Sequence, residues 1–131
     1  MRWGACELRS LLERILRAVV SDAKPLEADL DQLAYMAARA VRTTRLIPDK
    51  QGSFVWTVDA ELAGVTVLRW RVVDAAVRLL TSDQLSRMKA CPSCGWFFLD
   101  TSKNNSRRWC SMEDCGSIDK ARRYYRKKRS R

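Results

Sequence analysis

Residues 91–117 read CPSCGWFFLDTSKNNSRRWCSMEDCGS and contain four of the chain's five cysteines. The four form two pairs, Cys91 with Cys94 and Cys110 with Cys115, with fifteen residues between the pairs. Two such pairs can present four thiolates to one tetrahedral zinc ion. The proline and glycine of the first pair favour a tight turn whose backbone amides face the sulfur atoms. The spacing therefore predicts a zinc centre held by these four cysteines.

The first pair also fits a redox interpretation, because Cys91 and Cys94 form a Cys-x-x-Cys motif. A thioredoxin-type motif lies in a βαβ context, which the sequence lacks, and disulfides are rare in cytosolic proteins. We therefore favour zinc. Four thiolates leave no coordination position open to water, so we expect a structural zinc and not a catalytic one. Cys6 lies far from the group in the sequence and is expected to take no part in it.

The residues around the cysteines predict a hairpin followed by a helix. Residues 96–99 are aromatic and apolar, and residues 107–109 end in tryptophan, so we predict two strands joined by a polar loop over 100–106. Ser111, with Asp114 three residues later, predicts the start of a helix. This order resembles a treble-clef zinc finger.

The net charge of +10 is concentrated near the C-terminal end. Residues 1–86 contain 12 basic and 11 acidic residues, whereas residues 87–131 contain 13 basic and 4 acidic ones. This asymmetry predicts a polyanionic partner for the C-terminal part alone, and nucleic acid is the polyanion that we expect. A charged tail that only solubilises the chain, or offsets the charge of the thiolate site, is the alternative.

A basic helix is predicted over the last fourteen residues, where eight cations occur in the final twelve. Like charges four residues apart destabilise an isolated helix, and phosphates along a groove would supply the missing counter-charge. We expect Ile118, Ala121 and Tyr125 to lie on one side and to pack on Trp96 or Phe98. The candidate nucleic-acid contacts are Arg107, Arg108, Lys120, Arg122, Arg123, Arg126, Lys127 and Arg129.

The N-terminal part predicts a helical domain with one hairpin. Apolar residues recur with a helical period over residues 5–20, over 26–42 and from 61 to about 82. Strict alternation over 54–58, after a turn of the sequence Pro-Asp-Lys-Gln-Gly, predicts a β-hairpin with the apolar pair at 46–47.

The core of this domain is expected to combine the apolar side of each helix with the hairpin tryptophan. We predict seven core residues: Leu8, Leu12, Ile15, Leu33, Trp56, Val72 and Leu79. Further residues are expected to face inward: Leu26, Leu30, Ala37, Ala40, Leu62, Val65, Leu68 or Arg69, and Ala76. Asp29 is expected to face solvent. The predicted fold is mainly α with a small β-hairpin (α+β), with a helical domain at 1–86 and a zinc finger with a basic helix at 87–131.

Neither histidine nor a glycine-rich phosphate loop occurs in the sequence. Without histidine there is no imidazole for acid–base catalysis or for zinc binding, so we predict that the chain is not an enzyme. No apolar run approaches the eighteen or so residues of a membrane span, and we recognise no secretory signal at the N-terminus. We therefore predict a cytoplasmic protein that associates with the nucleoid and not with a membrane.

The cysteine region resembles the CGNR-type zinc finger of bacterial proteins, and the preceding helices resemble the associated ABATE domain. The matching segments are Cys91-Pro-x-Cys94-Gly-Trp-x-Phe-x-Asp100, Ser102-x-Asn104, Ser106-Arg107-Arg108-Trp109-Cys110-Ser111-Met112, Cys115-Gly116 and Lys120. The resemblance implies a transcription regulator that responds to stress or to a ligand, with the four cysteines as metal ligands and DNA bound by the finger. A small-molecule inducer at the N-terminal domain and a homodimer are left open by this description.

The chain departs from the family in two respects. The family's Cys-Gly-Asn-Arg is here Cys115-Gly116-Ser117-Ile118, so flanking arginines would have to replace the contacts of the missing Asn and Arg. Family members usually carry a further segment before the first helix, so we expect this chain to be a fragment or a shortened member.

The sequence as a whole predicts a zinc-dependent DNA-binding regulator, with double-stranded DNA as the expected partner. Two alternatives stay open. Exposed tryptophans would let the finger stack on the bases of single-stranded RNA. The basic helix would alternatively meet an acidic surface of a protein partner.

Overall fold

The computed structural model describes residues 4–59, 61 and 67–129. The chain forms two compact units, an N-terminal unit that ends at Ser82 and a finger unit that begins at Asp83. Helices dominate the described ranges, and the strands there form two separate two-stranded antiparallel sheets. The predicted α+β class is confirmed. Within the same ranges, no helix is both long and apolar enough to cross a lipid bilayer.

Helices α1 and α2 follow the predicted periodicity, with α1 at Ala5–Val20 and α2 at Glu27–Val41. The Arg14 guanidinium on α1 donates to the Asp29 carboxylate on α2 at 2.7 Å and holds the pKa of that carboxyl below its usual range. Asp29 is only 7% exposed, so the prediction that it faces solvent is wrong. The ion pair allows this carboxylate to be buried where the two helices meet.

The predicted hairpin is confirmed. Strand β1, Thr44–Pro48, pairs antiparallel with β2, Phe54–Val58, and Leu46 lies opposite Trp56. The Asp49 carboxylate closes the turn by accepting two backbone N–H bonds, at 2.8 and 2.9 Å. Such short-range acceptors are a common way for aspartate to stabilise a turn.

Helix α3 spans Val67–Leu80 and turns a different side inward from the one predicted. Trp70 and Val73 are buried, whereas Val72 is 47% exposed, so the prediction of Val72 as a core residue is wrong. Apolar residues occur on both sides of α3, and periodicity alone does not choose between them. The inward side is the one on which Trp70 and Val73 join the core.

The core of the N-terminal unit is formed by residues from helices α1, α2 and α3. Among the described residues it comprises Leu8, Leu11, Ile15, Leu33, Met36, Ala40, Trp70 and Val73, with Leu12 and Ala37 partly buried against it. Besides Val72, three predictions are wrong, because Leu26, Leu30 and Trp56 are exposed, and Leu68, the alternative to Arg69, is exposed as well. Leu26 precedes α2, and Leu30 lies beside the stripe of Asp29, Leu33, Met36 and Ala40 that faces the core. Leu62 and Val65, which were also predicted inward, lie outside the described residues.

The finger unit is built from short elements in the order 3-10 helix Asp83–Arg87, β3 Met88–Ala90, β4 Phe97–Leu99, π-helical turn Met112–Gly116 and α4 Ser117–Arg129. Strands β3 and β4 pair antiparallel with Lys89 opposite Phe98. The first cysteine pair therefore lies in the connection of the hairpin and does not precede it.

The predicted strand at 107–109 is wrong, since these residues are irregular. Both backbone groups of Arg107 are taken by side chains. Its N–H donates to the Asp100 carboxylate at 2.7 Å, and its carbonyl accepts from Lys89 Nζ at 3.1 Å. Strand β4 pairs instead with β3, which precedes the knuckle.

Few residues of the finger unit are buried. Over the described span 83–129, the buried residues are Cys91, Asp100, Cys115 and Gly116. No large apolar side chain is among them, so this unit lacks a hydrophobic core of the usual kind. Its order must come mainly from the cysteine site and from the buried carboxylate.

Candidate metal centre and basic helix

Four cysteines meet in the finger unit: Cys91, Cys94, Cys110 and Cys115. Their sulfur atoms all lie within 4.8 Å of one another, and the Cys110 sulfur is 3.6 Å from that of Cys94 and 3.7 Å from that of Cys115. Tetrahedral Zn–S bonds of about 2.3 Å place neighbouring sulfurs about 3.8 Å apart, whereas a disulfide needs about 2.05 Å. The four thiols thus fit a zinc ion and form no disulfide. Cys6, in the N-terminal unit, is exposed.

The first knuckle is a tight turn between β3 and β4. Gly95 adopts φ +73°, in the left-handed region that glycine enters without strain, and its N–H donates to the Cys91 carbonyl at 2.8 Å. The N–H of Cys91 donates in turn to the Trp96 carbonyl at 2.8 Å. Within this closed turn the backbone N–H groups of Ser93 and Cys94 face the Cys91 sulfur, as the proline and glycine of the turn predict.

The thiols of Cys91, Cys110 and Cys115 differ in how readily they ionise. Burial of Cys91 disfavours its thiolate, but N–H groups of Cys110, Cys94 and Ser93 outweigh this and lower its pKa to about 6. Hydrogen bonding with the Cys94 thiol, followed by burial, raises the pKa of Cys115 to about 12. The Cys91 thiolate therefore forms easily, whereas the raised pKa values of Cys110 and Cys115 mean that their thiolates need positive charge nearby. A divalent zinc ion has the charge that such a donor set requires.

The second knuckle starts with the predicted capping interaction, which is confirmed. The Ser111 hydroxyl accepts the Asp114 N–H at 3.1 Å and donates to the Asp114 carboxylate at 2.7 Å. This cap begins the π-helical turn that contains Cys115, and α4 follows directly at Ser117. The fourth cysteine is therefore fixed at the base of α4.

A second organising centre is a buried carboxylate, which the sequence analysis did not identify. Asp100 is fully buried and accepts hydrogen bonds from Lys89 Nζ at 2.6 Å, the Ser102 N–H at 2.9 Å and the Arg107 N–H at 2.7 Å. Burial opposes its ionisation, but these donors hold its pKa below the usual range. Lys89 Nζ also donates to the Asn105 carbonyl at 2.6 Å. The loop between β4 and Cys110 is fixed by these bonds.

Two predicted nucleic-acid contacts, Arg107 and Arg108, differ in their surroundings. The Arg107 Nε donates to the Trp109 carbonyl at 3.0 Å, its Nη2 donates to the Cys110 carbonyl, and its Cζ lies 5.4 Å from the centre of the Phe98 ring. The Arg108 Cζ lies 5.2 Å from the centre of the Trp109 ring. Both residues are exposed, but the Arg107 guanidinium is engaged within the finger.

Helix α4 brings together the other predicted contacts, Lys120, Arg122, Arg123, Arg126, Lys127 and Arg129, all of which are exposed. The helix contains seven cations and one acid, Asp119. The expected packing of its apolar side on the aromatic residues of the finger is wrong, because Ile118, Tyr125 and Trp96 are 47%, 65% and 70% exposed. The helix therefore carries its charge on a surface open to solvent on most sides.

Comparison with known families agrees with this architecture. Residues 87–128 match the CGNR zinc finger, and residues 4–83 match ABATE, the family described as "Putative stress-induced transcription regulator". The second match covers more than half of the chain. The chain belongs to the ABATE family. No curated protein has a sequence that matches it.

The zinc-finger match in this ABATE-family chain includes all four clustered cysteines. The resemblance that the motifs indicated is confirmed, and so is zinc as the metal that the finger is able to hold. Within this match, Cys115 and Gly116 are followed by Ser117 and Ile118, the first two residues of α4. The functional description that the match supports is that of a zinc-binding regulator.

Proposed function

We propose that this chain is a DNA-binding transcription regulator that contacts duplex DNA through α4. The proposal rests on the junction between the cysteine site and this helix. Cys115 lies in the turn that leads directly into a helix with seven cations and one acid. A metal at the four thiolates would fix the first turn of α4, and the exposed cations would lie along the phosphates.

In this proposal, Cys91, Cys94, Cys110 and Cys115 are the four zinc ligands. When bound, zinc supplies the positive charge that lets four thiolates coexist and closes the link between the two knuckles. The described finger buries too little apolar surface to be stable without such a link. The metal is structural, and it leaves no coordination position for a substrate.

The charge pattern of α4 favours a polyanion with regularly spaced phosphates. Arg122 and Arg126 lie four residues apart, as do Arg123 and Lys127, and such pairs repel one another in an isolated helix. Arg122, Arg126 and Arg129 share one side of the helix. Arg122 also lies one helical turn after Ile118. It is therefore on the side of the helix where the resemblance would place the family's arginine.

Single-stranded RNA is a second candidate, favoured by the 70% exposure of the Trp96 ring beside the first knuckle. Exposed aromatic rings stack on unpaired bases, and each stacked base contributes about 1–3 kcal/mol. Loss of such a ring would therefore weaken RNA binding roughly 5- to 150-fold. Binding to a duplex through α4 would not depend on Trp96.

The test is a competition experiment on the zinc-loaded full chain with a labelled duplex. Unlabelled duplex DNA and single-stranded RNA of equal length compete, for the wild type, Trp96→Ala and the control Tyr35→Ala, which removes an exposed ring from the N-terminal unit. We expect the duplex to compete better and both variants to behave like the wild type. Stronger competition by RNA, with a loss confined to Trp96→Ala, would replace DNA by RNA as the partner. Failure to bind either nucleic acid would favour an acidic protein partner.

A further inference from the structure

Arg107 stands out among the predicted nucleic-acid contacts because its side chain is used inside the finger. Its Nε donates to the Trp109 carbonyl at 3.0 Å and its Nη2 donates to the Cys110 carbonyl. Its Cζ lies over the Phe98 ring, 5.4 Å from the ring centre. A planar fork that binds two carbonyls and stacks on a ring is a geometry that lysine does not reproduce.

The two carbonyls belong to the peptide groups on either side of Cys110. The peptide that joins Trp109 to Cys110 is held on its carbonyl side by Arg107, and its N–H donates to the sulfur of Cys91. The following peptide is held through the Cys110 carbonyl. The guanidinium therefore sets the orientation of the backbone at Cys110. This backbone carries the Cys110 side chain, and its N–H donates to the sulfur of Cys91.

The backbone of Arg107 is itself held in place. Its N–H donates to the buried Asp100 carboxylate at 2.7 Å, and its carbonyl accepts from Lys89 Nζ at 3.1 Å. Asp100 is fully buried, so this end of the connection is anchored in the interior of the finger. A continuous set of hydrogen bonds thus runs from Asp100 through Arg107 to the peptides of Cys110 and on to the Cys91 sulfur.

We infer that Arg107 is a positioning residue for the zinc centre and not a nucleic-acid contact. The inference rests on the zinc ligation proposed above. Groups that orient metal ligands from the next layer typically change metal affinity 10- to 100-fold when they are replaced. Arg107 meets this description, because it holds both peptides that flank the ligand Cys110 without contributing a ligand atom.

The experiment measures zinc affinity by competition with a chelator for the full chain. The variants are Arg107→Lys, which keeps the charge and loses the fork, and Arg107→Ala. Arg108→Lys and Arg108→Ala are the matched controls, since Arg108 lies next in the sequence and stacks on Trp109. We expect zinc affinity to fall 10- to 100-fold in both Arg107 variants and to stay unchanged in both Arg108 variants. The absorption bands of the cobalt-substituted protein should shift in Arg107→Lys while they keep their tetrathiolate character.

Duplex binding at saturating zinc separates this role from a contact role. We expect Arg107→Lys to bind DNA like the wild type once its site is filled. Unchanged zinc affinity in Arg107→Lys and Arg107→Ala would overturn the inference, and reduced DNA affinity at full metal occupancy would restore Arg107 as a contact. If the wild type itself bound no zinc, the proposed ligation would fail. That outcome is distinguishable from failure of the Arg107 inference, in which the wild type and both Arg107 variants bind zinc with equal affinity.

Discussion

The salt dependence of DNA binding provides a quantitative test of α4 as the contact helix. We expect the combined change of Arg122, Arg126 and Arg129 to Gln to flatten the plot of log K against log salt. The three residues recur at helical spacing on one side of α4. At 1.5 Å per residue they span about 10.5 Å, over which a duplex carries roughly six negative charges. Phosphates are therefore dense enough for all three arginines to be engaged together.

Each phosphate contact adds about 0.9 to the slope on duplex DNA, so three contacts add about 2.7. If these contacts contribute nothing at 1 M salt, the triple variant loses roughly 500-fold in affinity at 0.1 M. The loss should be similar on two unrelated duplexes, because phosphate contacts position the protein and do not read the sequence. Fluorescence anisotropy over a range of salt concentrations measures both the slope and the affinity.

A control of equal charge decides whether geometry or net charge is responsible. Arg9, Lys24 and Lys50 are exposed cations of the N-terminal unit, and changing all three to Gln lowers the net charge by the same amount. We expect this control to keep nearly the full slope. An unchanged slope in the α4 variant, or an equal decrease in both variants, would refute the argument that α4 follows the backbone. An acidic protein partner would then be the better explanation of the helix.

Four further outcomes follow from the structure. Elemental analysis should find one zinc per chain in the wild type and in Cys6→Ser, and a loss of metal in Cys6→Ser would refute the four-cysteine assignment. Chelation should leave the far-UV helix signal of the N-terminal unit largely in place while the finger unit becomes protease-sensitive, and cooperative loss of all helix signal would contradict this. Ile15→Ala should lower the free energy of unfolding by about 2–5 kcal/mol, against less than about 0.5 kcal/mol for the exposed Leu26→Ala, as denaturant unfolding can measure. Asp100→Asn should reduce the stability of the finger. Because the pKa of Asp100 is lowered in the folded state, the ionised carboxylate contributes fully to stability above the unfolded pKa of about 3.9, and this contribution is lost as the pH falls further. Pulse proteolysis should therefore show a difference between wild type and Asp100→Asn that is constant from pH 8 to about 5, and a difference that grows on acidification would contradict the assignment.

The N-terminal helices show what periodicity can and cannot predict. The bounds of α1 and α2 were predictable because each has one apolar side that a 3.6-residue period identifies. The inward side of α3 was not predictable, because Val72 and Val73 are equally apolar. Only the packing of neighbouring helices decides that Val73 is the buried residue. The prediction that Asp29 faces solvent was wrong for a related reason. Its partner Arg14 lies fifteen residues earlier, on a different helix, and no local pattern joins the two.

In the finger, the cysteine cluster was predictable because metal ligands must come in closely spaced sets, and spacing is visible in a sequence. The mistaken strand at 107–109 has a different origin. Tryptophan and arginine there suggested a hairpin, but the backbone of Arg107 is claimed by Asp100, seven residues earlier, and by Lys89, eighteen residues earlier. Side-chain acceptors and donors at such separations compete with strand pairing, and nothing in the local alternation of residues reports them.

The small number of buried residues in the finger explains why these polar connections matter. A module without large buried apolar side chains gains little from the hydrophobic effect, so its chain entropy must be offset by fewer and stronger interactions. Two such interactions among residues 83–129 act on different segments: Asp100 with Lys89 fixes the loop after β4, and the cysteine site joins both knuckles. Arg107 connects these two interactions. Its backbone N–H donates to the Asp100 carboxylate, and its guanidinium donates to the peptides on either side of Cys110. The direction of α4 depends on the cysteine site, because Cys115 lies directly before this helix. The cysteine site depends in turn on Asp100 and Lys89, to which Arg107 connects it. On the inferred role of Arg107, the buried Asp100 carboxylate helps to hold a basic helix whose own charges repel one another, although it is remote from that helix in the sequence.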